Sequence, residues 1–204
     1  MLATVIDFGL TQSAKSQLLR LRNGHKEQRM SQIDLQSPSE CSANEISEFM
    51  KLVVEGGEVA AGGLRTRIMA AEQLAFLRAD GQLVGVAAAK NPKDTYRFSV
   101  AHASGFPLMK QEYPYELGWV FVVPAARGKG YAHSLAEAAI SQVSSNGILA
   151  TSRSENLAMH HILIKLGFTQ SGSTYRSTHG DHQLKLFTRA PRPFGVRKKT
   201  KVGG

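Results

Sequence analysis

The sequence predicts an α/β or α+β domain with a mixed sheet, and three observations predict it. Ile46, Phe49, Met50 and Val53 recur at helical spacing. Further on, two β-type runs, Leu74–Ala79 and Gln82–Ala89, flank Asp80-Gly81, a strong short hairpin signal. The apolar run Glu116–Val123 then passes through a glycine-rich turn directly into a new helical pattern.

Taken in order, residues 1–29 read as an N-terminal extension. Leu18, Leu19 and Leu21 there suggest a short amphipathic helix that Gly24 ends. Met30–Leu35 is a first strand, closed by the turn Ser37-Pro38-Ser39. The helix after Asn44 stops at Gly56-Gly57, Val59–Gly63 is loose, and Leu64–Glu72 is a second helix. The stretch from Asn91 to Tyr113, rich in turn residues, follows the hairpin and is expected to be irregular. Glu116–Val123 is too continuously apolar for a half-exposed strand. Tyr131, Leu135, Ala139 and Val143 then mark a helix that Asn146-Gly147 ends. Ile148–Ser152 is a strand, and Asn156 caps a helix over Leu157–Leu166 that Gly167 closes. Two last strands, Thr169–Ser177 and Gln183–Thr188, flank His179-Gly180-Asp181, and a basic tail over 190–204 is expected to be disordered. The domain proper is thus 30–189.

Composition bounds the function. A chain of 204 residues with 42% hydrophobic content can build one well-filled core. The single cysteine, Cys41, excludes an internal disulfide and fits a reducing compartment. Apolar stretches such as Leu83–Ala89 are too short to span a bilayer, and Asp7 stands where a secretory signal would be basic. A soluble cytoplasmic protein with no membrane partner is therefore expected, as a monomer or homodimer. Of the net charge of +9, six positive charges lie in Arg189, Arg192, Arg197, Lys198, Lys199 and Lys201, with no acid among them. Such an arm can bind polyanions non-specifically or serve only as a solvated tail, so nucleic acid is a conceivable partner but not an expected one.

The turn Arg127-Gly128-Lys129-Gly130-Tyr131-Ala132 carries the chemistry. First-turn amides of a helix have no intrahelical acceptor, the helix dipole adds positive potential, and glycines let backbone approach an oxyanion. Arg127 and Lys129 add charge beside them. A Walker A loop would need glycine at 123 and Ser or Thr at 130, where Val123 and Gly130 stand. A dinucleotide fingerprint starting at Gly128 would need glycine at 133, which is His133.

With those excluded, the turn resembles the GNAT acetyltransferase superfamily pattern of Arg or Gln, two residues, Gly, one residue, and Gly or Ala. A second segment agrees: Asn156, followed by Lys165-Leu166-Gly167-Phe168. The resemblance implies a central, mixed but mostly antiparallel twisted sheet of about six to seven strands, flanked by helices and with splayed central strands. It also implies acetyl-CoA as co-substrate and direct acyl transfer to an amine acceptor. On that basis the amides at 128–132 hold a pyrophosphate. Freed main chain near Val122 and Val123, with Phe121 alongside, holds the pantetheine arm and polarises the thioester, and Asn156 contacts the same arm.

Proton transfer is less well specified. Glu116, a carboxylate opening an apolar strand, is the candidate base, with a solvated strand end as the alternative reading. Many relatives carry tyrosine seven residues after the asparagine as the thiolate's acid, whereas this chain has Leu163. Tyr131, Tyr175, His160, His161 or water could replace it, although a His pair on a short helix is more often a surface or packing feature. His179-Gly180-Asp181-His182 lacks a third cluster and is read as a turn, so no metal is expected. Cys41 has no His or Asp neighbour in sequence that would mark a nucleophile. Three readings follow: an enzyme acetylating a primary amine of a small molecule or peptide, one acting on a protein or nucleic-acid-linked amine guided by the tail, or a non-catalytic acyl-CoA-binding protein.

Overall fold

The computed structural model describes residues 31–57, 62–178 and 180–191. Within them, seven strands form one sheet: β1 (Ser31–Gln36), β2 (Gln73–Ala79), β3 (Gln82–Lys90), β4 (Tyr115–Val122), β5 (Ile148–Arg153), β6 (Thr169–Arg176) and β7 (Gln183–Arg189). Their spatial order is β1-β2-β3-β4-β5-β7-β6. Every neighbouring pair is antiparallel except β4 and β5, which are parallel. This is the mixed, mostly antiparallel sheet expected. The expected extension at 1–29 and the tail beyond Pro191 lie outside the described residues.

Strand alternation divides the core between the two faces. On one face Leu74, Phe76, Val86 and Ala88 meet helix α1 (Ala43–Glu55) and helix α2 (Leu64–Met69) through Ile46, Phe49, Leu64 and Ile68. Leu149 and Leu186 continue that face beneath α3 (Asp94–Ser104). On the other, Ala75, Leu77, Ala87, Ala89 and Ile148 pack on α4 (Tyr131–Ala139) and α5 (Leu157–Lys165) through Leu135, Ala136 and Leu163.

Local chemistry accounts for the element boundaries. Ser42 opens α1 with a capping box: its hydroxyl accepts from the Glu45 amide (3.2 Å), and the Glu45 carboxylate accepts from the Ser42 amide (2.8 Å). Asp80 and Gly81 both take positive φ (51° and 76°), as a two-residue type I′ hairpin requires.

Three sequence expectations need correction. The stretch from Asn91 to Tyr113 contains α3, which apolar periodicity could not reveal because its buried positions are Arg97, Val100 and Ser104 while Phe98 is 72% exposed. Arg97 donates to the Tyr113 carbonyl, and to that of Pro114 at 3.2 Å, fastening α3 to the residues just before β4. Helix α4 stops at Ala139, not at Asn146. The Ser141 hydroxyl donates to the Ala138 carbonyl (2.7 Å), and Val143 reaches the core from a turn. Arg189 closes the domain as bounded above, but its charge does not belong with the basic arm: it is the last residue of β7, 5% exposed, with its guanidinium 5.4 Å from the Phe168 ring.

Two irregularities of β4 shape the centre of the sheet. It pairs with β5 only at Tyr115↔Ile148 and Glu116↔Leu149, after which the strands part. Opposite, Ala88 aligns with Gly118 but Val86 with Phe121, so β4 holds one extra residue there, with Trp119 at φ 54°. This bulge places Gly118 and Trp119 on the same face, and Trp119 packs on Phe49 at 6.1 Å between ring centroids.

Candidate active site

The glycine turn sits where β4 ends. Val122 leads through Pro124–Ala126, a single 3₁₀ turn in which the Ala126 amide donates to Val123 (2.9 Å). Arg127 folds back: its Nε donates to the Val122 carbonyl at 3.0 Å and its guanidinium lies 5.7 Å from the Phe121 ring. Gly128 and Gly130 both have φ +79°, a left-handed conformation that costs little only without a side chain, and open space surrounds each. Tyr131 and Ala132 begin α4 and pack against the core beneath it. The carbonyl of Gly130 takes the His133 and Ser134 amides (3.0 and 3.3 Å), while those of residues 128–132 meet no backbone carbonyl. Five donors in an exposed turn at a helix start suit an anion. Lys129 lies beside them, its ammonium 5.9 Å from the Tyr131 ring.

The parted strands supply an open edge that leads to this turn. The Val123 amide donates to Val84 of β3 at 2.9 Å, so it is not a free donor and that expectation narrows. Alternation along the ladder then directs the Val122 amide to the opposite side, where β5 has already diverged. Asn156 is committed in part as well: its Oδ1 caps α5 by accepting from the Met159 amide at 3.0 Å, leaving the side-chain NH₂ for any ligand.

Glu116 is 3% exposed, which rules out a solvated strand end. Lys90 Nζ lies 2.8 Å from Glu116 Oε2, and the Tyr96 hydroxyl donates to Oε1 at 3.1 Å. The same hydroxyl lies 3.2 Å from Thr151 Oγ1 on β5, so Tyr96 of α3 bridges the two strands where they part. Burial first, then the Glu116 charge, holds the Tyr96 phenol well above its ordinary range. Tyr175 reaches the same face from β6. Its hydroxyl is buried without a hydrogen-bond partner, and burial and Glu116 push its phenol up too. Lys90, Tyr96, Thr151 and the Trp119 bulge carried no sequence signal, since four separate elements bring them together.

The remaining candidates divide cleanly. Leu163 is fully buried and belongs to the core. His160 lies 2.9 Å from the Arg153 carbonyl, with its ring against Phe187 (5.0 Å), whereas His161 is exposed. The Cys41 thiol is pushed up to about 11 by burial, then by Glu45 and Glu40, which keeps it protonated. Among the described residues no three His, Cys, Asp or Glu side chains gather to hold a metal.

A seven-stranded sheet that parts between β4 and β5 above an amide-lined turn is the fold of acyl-CoA N-acyltransferases. The chain belongs to the Acetyltransferase (GNAT) family, whose sequence profile matches residues 45–168. Similar folds include an acyl-CoA N-acyltransferase from Pseudomonas aeruginosa, with 16% identity, TM-score 0.59, and coverage of 79% of this chain and 100% of that one. The ribosomal-protein-S18-alanine N-acetyltransferase from Escherichia coli shares 13% identity at TM-score 0.57, covering 82% and 98%. The yncA protein from Salmonella typhimurium, solved with acetyl-CoA, shares 16% at TM-score 0.54, covering 83% and 99%. No curated protein sequence matches the chain.

Proposed function

We propose that the protein transfers an acetyl group from acetyl-CoA directly to a primary amine of a small molecule or peptide. The observation that carries this reading is a carboxylate, Glu116, buried at the base of an open strand edge that ends in five unpaired amides. These features fit an elongated ligand with a polyanionic end. The loop amides, with Lys129 and Arg127, would hold the pyrophosphate, and Asn156 and the β4 edge at Phe121 and Val122 the pantetheine arm.

Acetyl-CoA, when bound, supplies an acyl group activated as a thioester. The Val122 amide is placed to donate to the thioester oxygen as it gains charge. Glu116 accepts the proton that the acceptor ammonium must lose, directly or through water. With Leu163 buried and His160 engaged, Tyr175 is the proton donor assigned to the departing thiolate. Its phenol keeps its proton near neutral pH, and its hydroxyl has no competing partner.

The deciding experiment follows thiol release from acetyl-CoA across a panel of amine classes. Release that depends on one amine class, and is abolished when Arg127, Gly128 and Gly130 are replaced together, is the expected result. Tight binding of acetyl-CoA with no thiol release from any amine would instead establish a non-catalytic acyl-CoA-binding protein. A macromolecular acceptor is the second reading, supported by the basic residues beyond Pro191 and by the fold shared with a ribosomal-protein acetyltransferase.

A further inference from the structure

We propose that Lys90 is itself an acetyl acceptor, so that the chain acetylates its own side chain in the cleft. This rests on the acetyl-CoA reading above.

Lys90 does not behave as a surface lysine. Its side chain is 19% exposed, against 64% for Lys110. It closes β3 opposite Glu116 and lies flat along β4 over Gly118. A Cβ at residue 118 would stand 2.7 Å from Lys90 Cδ and 3.1 Å from Nζ, so glycine leaves the channel through which the side chain runs. The ammonium thus lies beside both Glu116 and Gly118, at the point where β4 stops pairing with β5.

The groups around it are those an amine acceptor needs. Glu116 Oε2 lies 2.8 Å away, the Trp119 ring centroid 5.0 Å and the Tyr96 ring centroid 5.7 Å. A carboxylate and two aromatic rings select an ammonium ion. In the proposed reaction, the carboxylate also removes its proton. Lys90 Nζ therefore occupies the place an external amine would take.

The step balances without a further reagent. One proton passes from the Lys90 ammonium to Glu116, and the free amine attacks the acetyl carbonyl carbon. The C–N bond forms, the C–S bond breaks, Tyr175 gives its proton to the departing thiolate, and the second nitrogen proton replaces it on Tyr175. The products are acetyl-Lys90, free CoA and the proton that Glu116 returns to solvent.

The full chain incubated with acetyl-CoA and no other amine tests this by peptide mass mapping, with isothermal titration of CoA in parallel. Expected is one acetyl group at Lys90, gained at least tenfold faster than at Lys110, at a rate independent of protein concentration and blocked by excess CoA. The E116Q variant should slow it, and the chain unfolded in urea should lose the preference for Lys90. CoA binding with Lys90 modified no faster than Lys110 would overturn the proposal and leave the acetyl-CoA reading standing. Absence of CoA binding would overturn both.

Discussion

Glu116 has both carboxylate oxygens engaged, one by Lys90 and one by Tyr96. Replacing it with glutamine keeps an acceptor for Tyr96 but removes the proposed base and the counter-charge. General base removal typically lowers rates by about 10²–10⁴-fold, so E116Q should lower kcat by on the order of a hundredfold or more while CoA affinity stays within about twofold. Steady-state thiol release and calorimetry separate the two quantities, and a loss confined to CoA affinity would remove Glu116 from the chemistry. Tyr175→Phe deletes a buried hydroxyl that has no partner, so it should leave stability near wild type and lower kcat. Unchanged turnover in that variant would reassign the acid to water. At Cys41 burial pushes the thiol up from its ordinary range to about 11. At pH 8 its alkylation in the folded chain should therefore run roughly a hundredfold below that in the unfolded chain. Since the unfolded thiol ionises first, Cys41 leaves stability independent of pH below 9 and lowers it as pH rises from 9 to about 11. Glu116 could be singled out in the sequence as a carboxylate heading an apolar run. Lys90 could not, because what distinguishes it is the absence of a side chain at Gly118 on the neighbouring strand.

At the scale of elements, local rules were readable wherever the backbone itself dictates them. The hairpin at Asp80-Gly81 and the glycine turn at 128 and 130 are of this kind, whereas the helix expected after Asn44 begins two residues earlier, at the Ser42 cap. Helix α3 was not, since its inward-facing Arg97 is satisfied by carbonyls of residues 113 and 114, far away in sequence. The β4 bulge left no trace either, because its extra residue is defined only against β3. Two changes probe these elements. Ser42→Ala removes half of the capping box and should cost about 1 kcal/mol in denaturant unfolding at neutral pH. The Ser42 bonds hold the Glu45 carboxyl below its usual range. The part carried by the Ser42 hydroxyl bond to that carboxylate is present at neutral pH and lost as pH falls through the lowered value, so the gap between variant and wild type should narrow in acid. It should not close, because the bond from the Glu45 amide to the Ser42 hydroxyl is independent of the carboxyl's charge. Gly130→Val forces a β-branched residue into φ +79° beside the unpaired amides of the turn. It should weaken CoA at least tenfold by calorimetry while leaving far-ultraviolet circular dichroism unchanged.

For the whole molecule, the basic residues beyond the domain pose the remaining choice of acceptor. Deleting residues 191–204 should leave CoA affinity and small-amine turnover unchanged. If the acceptor is a polyanion or part of one, the same deletion should raise KM for it, and KM of the full chain should climb steeply with salt. Equal KM values with and without the tail, at low and high salt, would end the tail-guided reading. By itself the sequence determined most of the succession of elements, the glycine turn between strand and helix, and the family, because periodicity and glycine conformation are properties of neighbouring residues. It also placed a leucine at 163 where an acid was awaited. Only the tertiary structure decided that Glu116 is buried and paired, that Tyr96 spans the parting strands and that Lys90 runs over Gly118 to Glu116. Those facts depend on how far β4 and β5 stay paired and on which helices cover the sheet. Such long-range geometry arises from packing the whole chain and is not encoded in any short stretch of it.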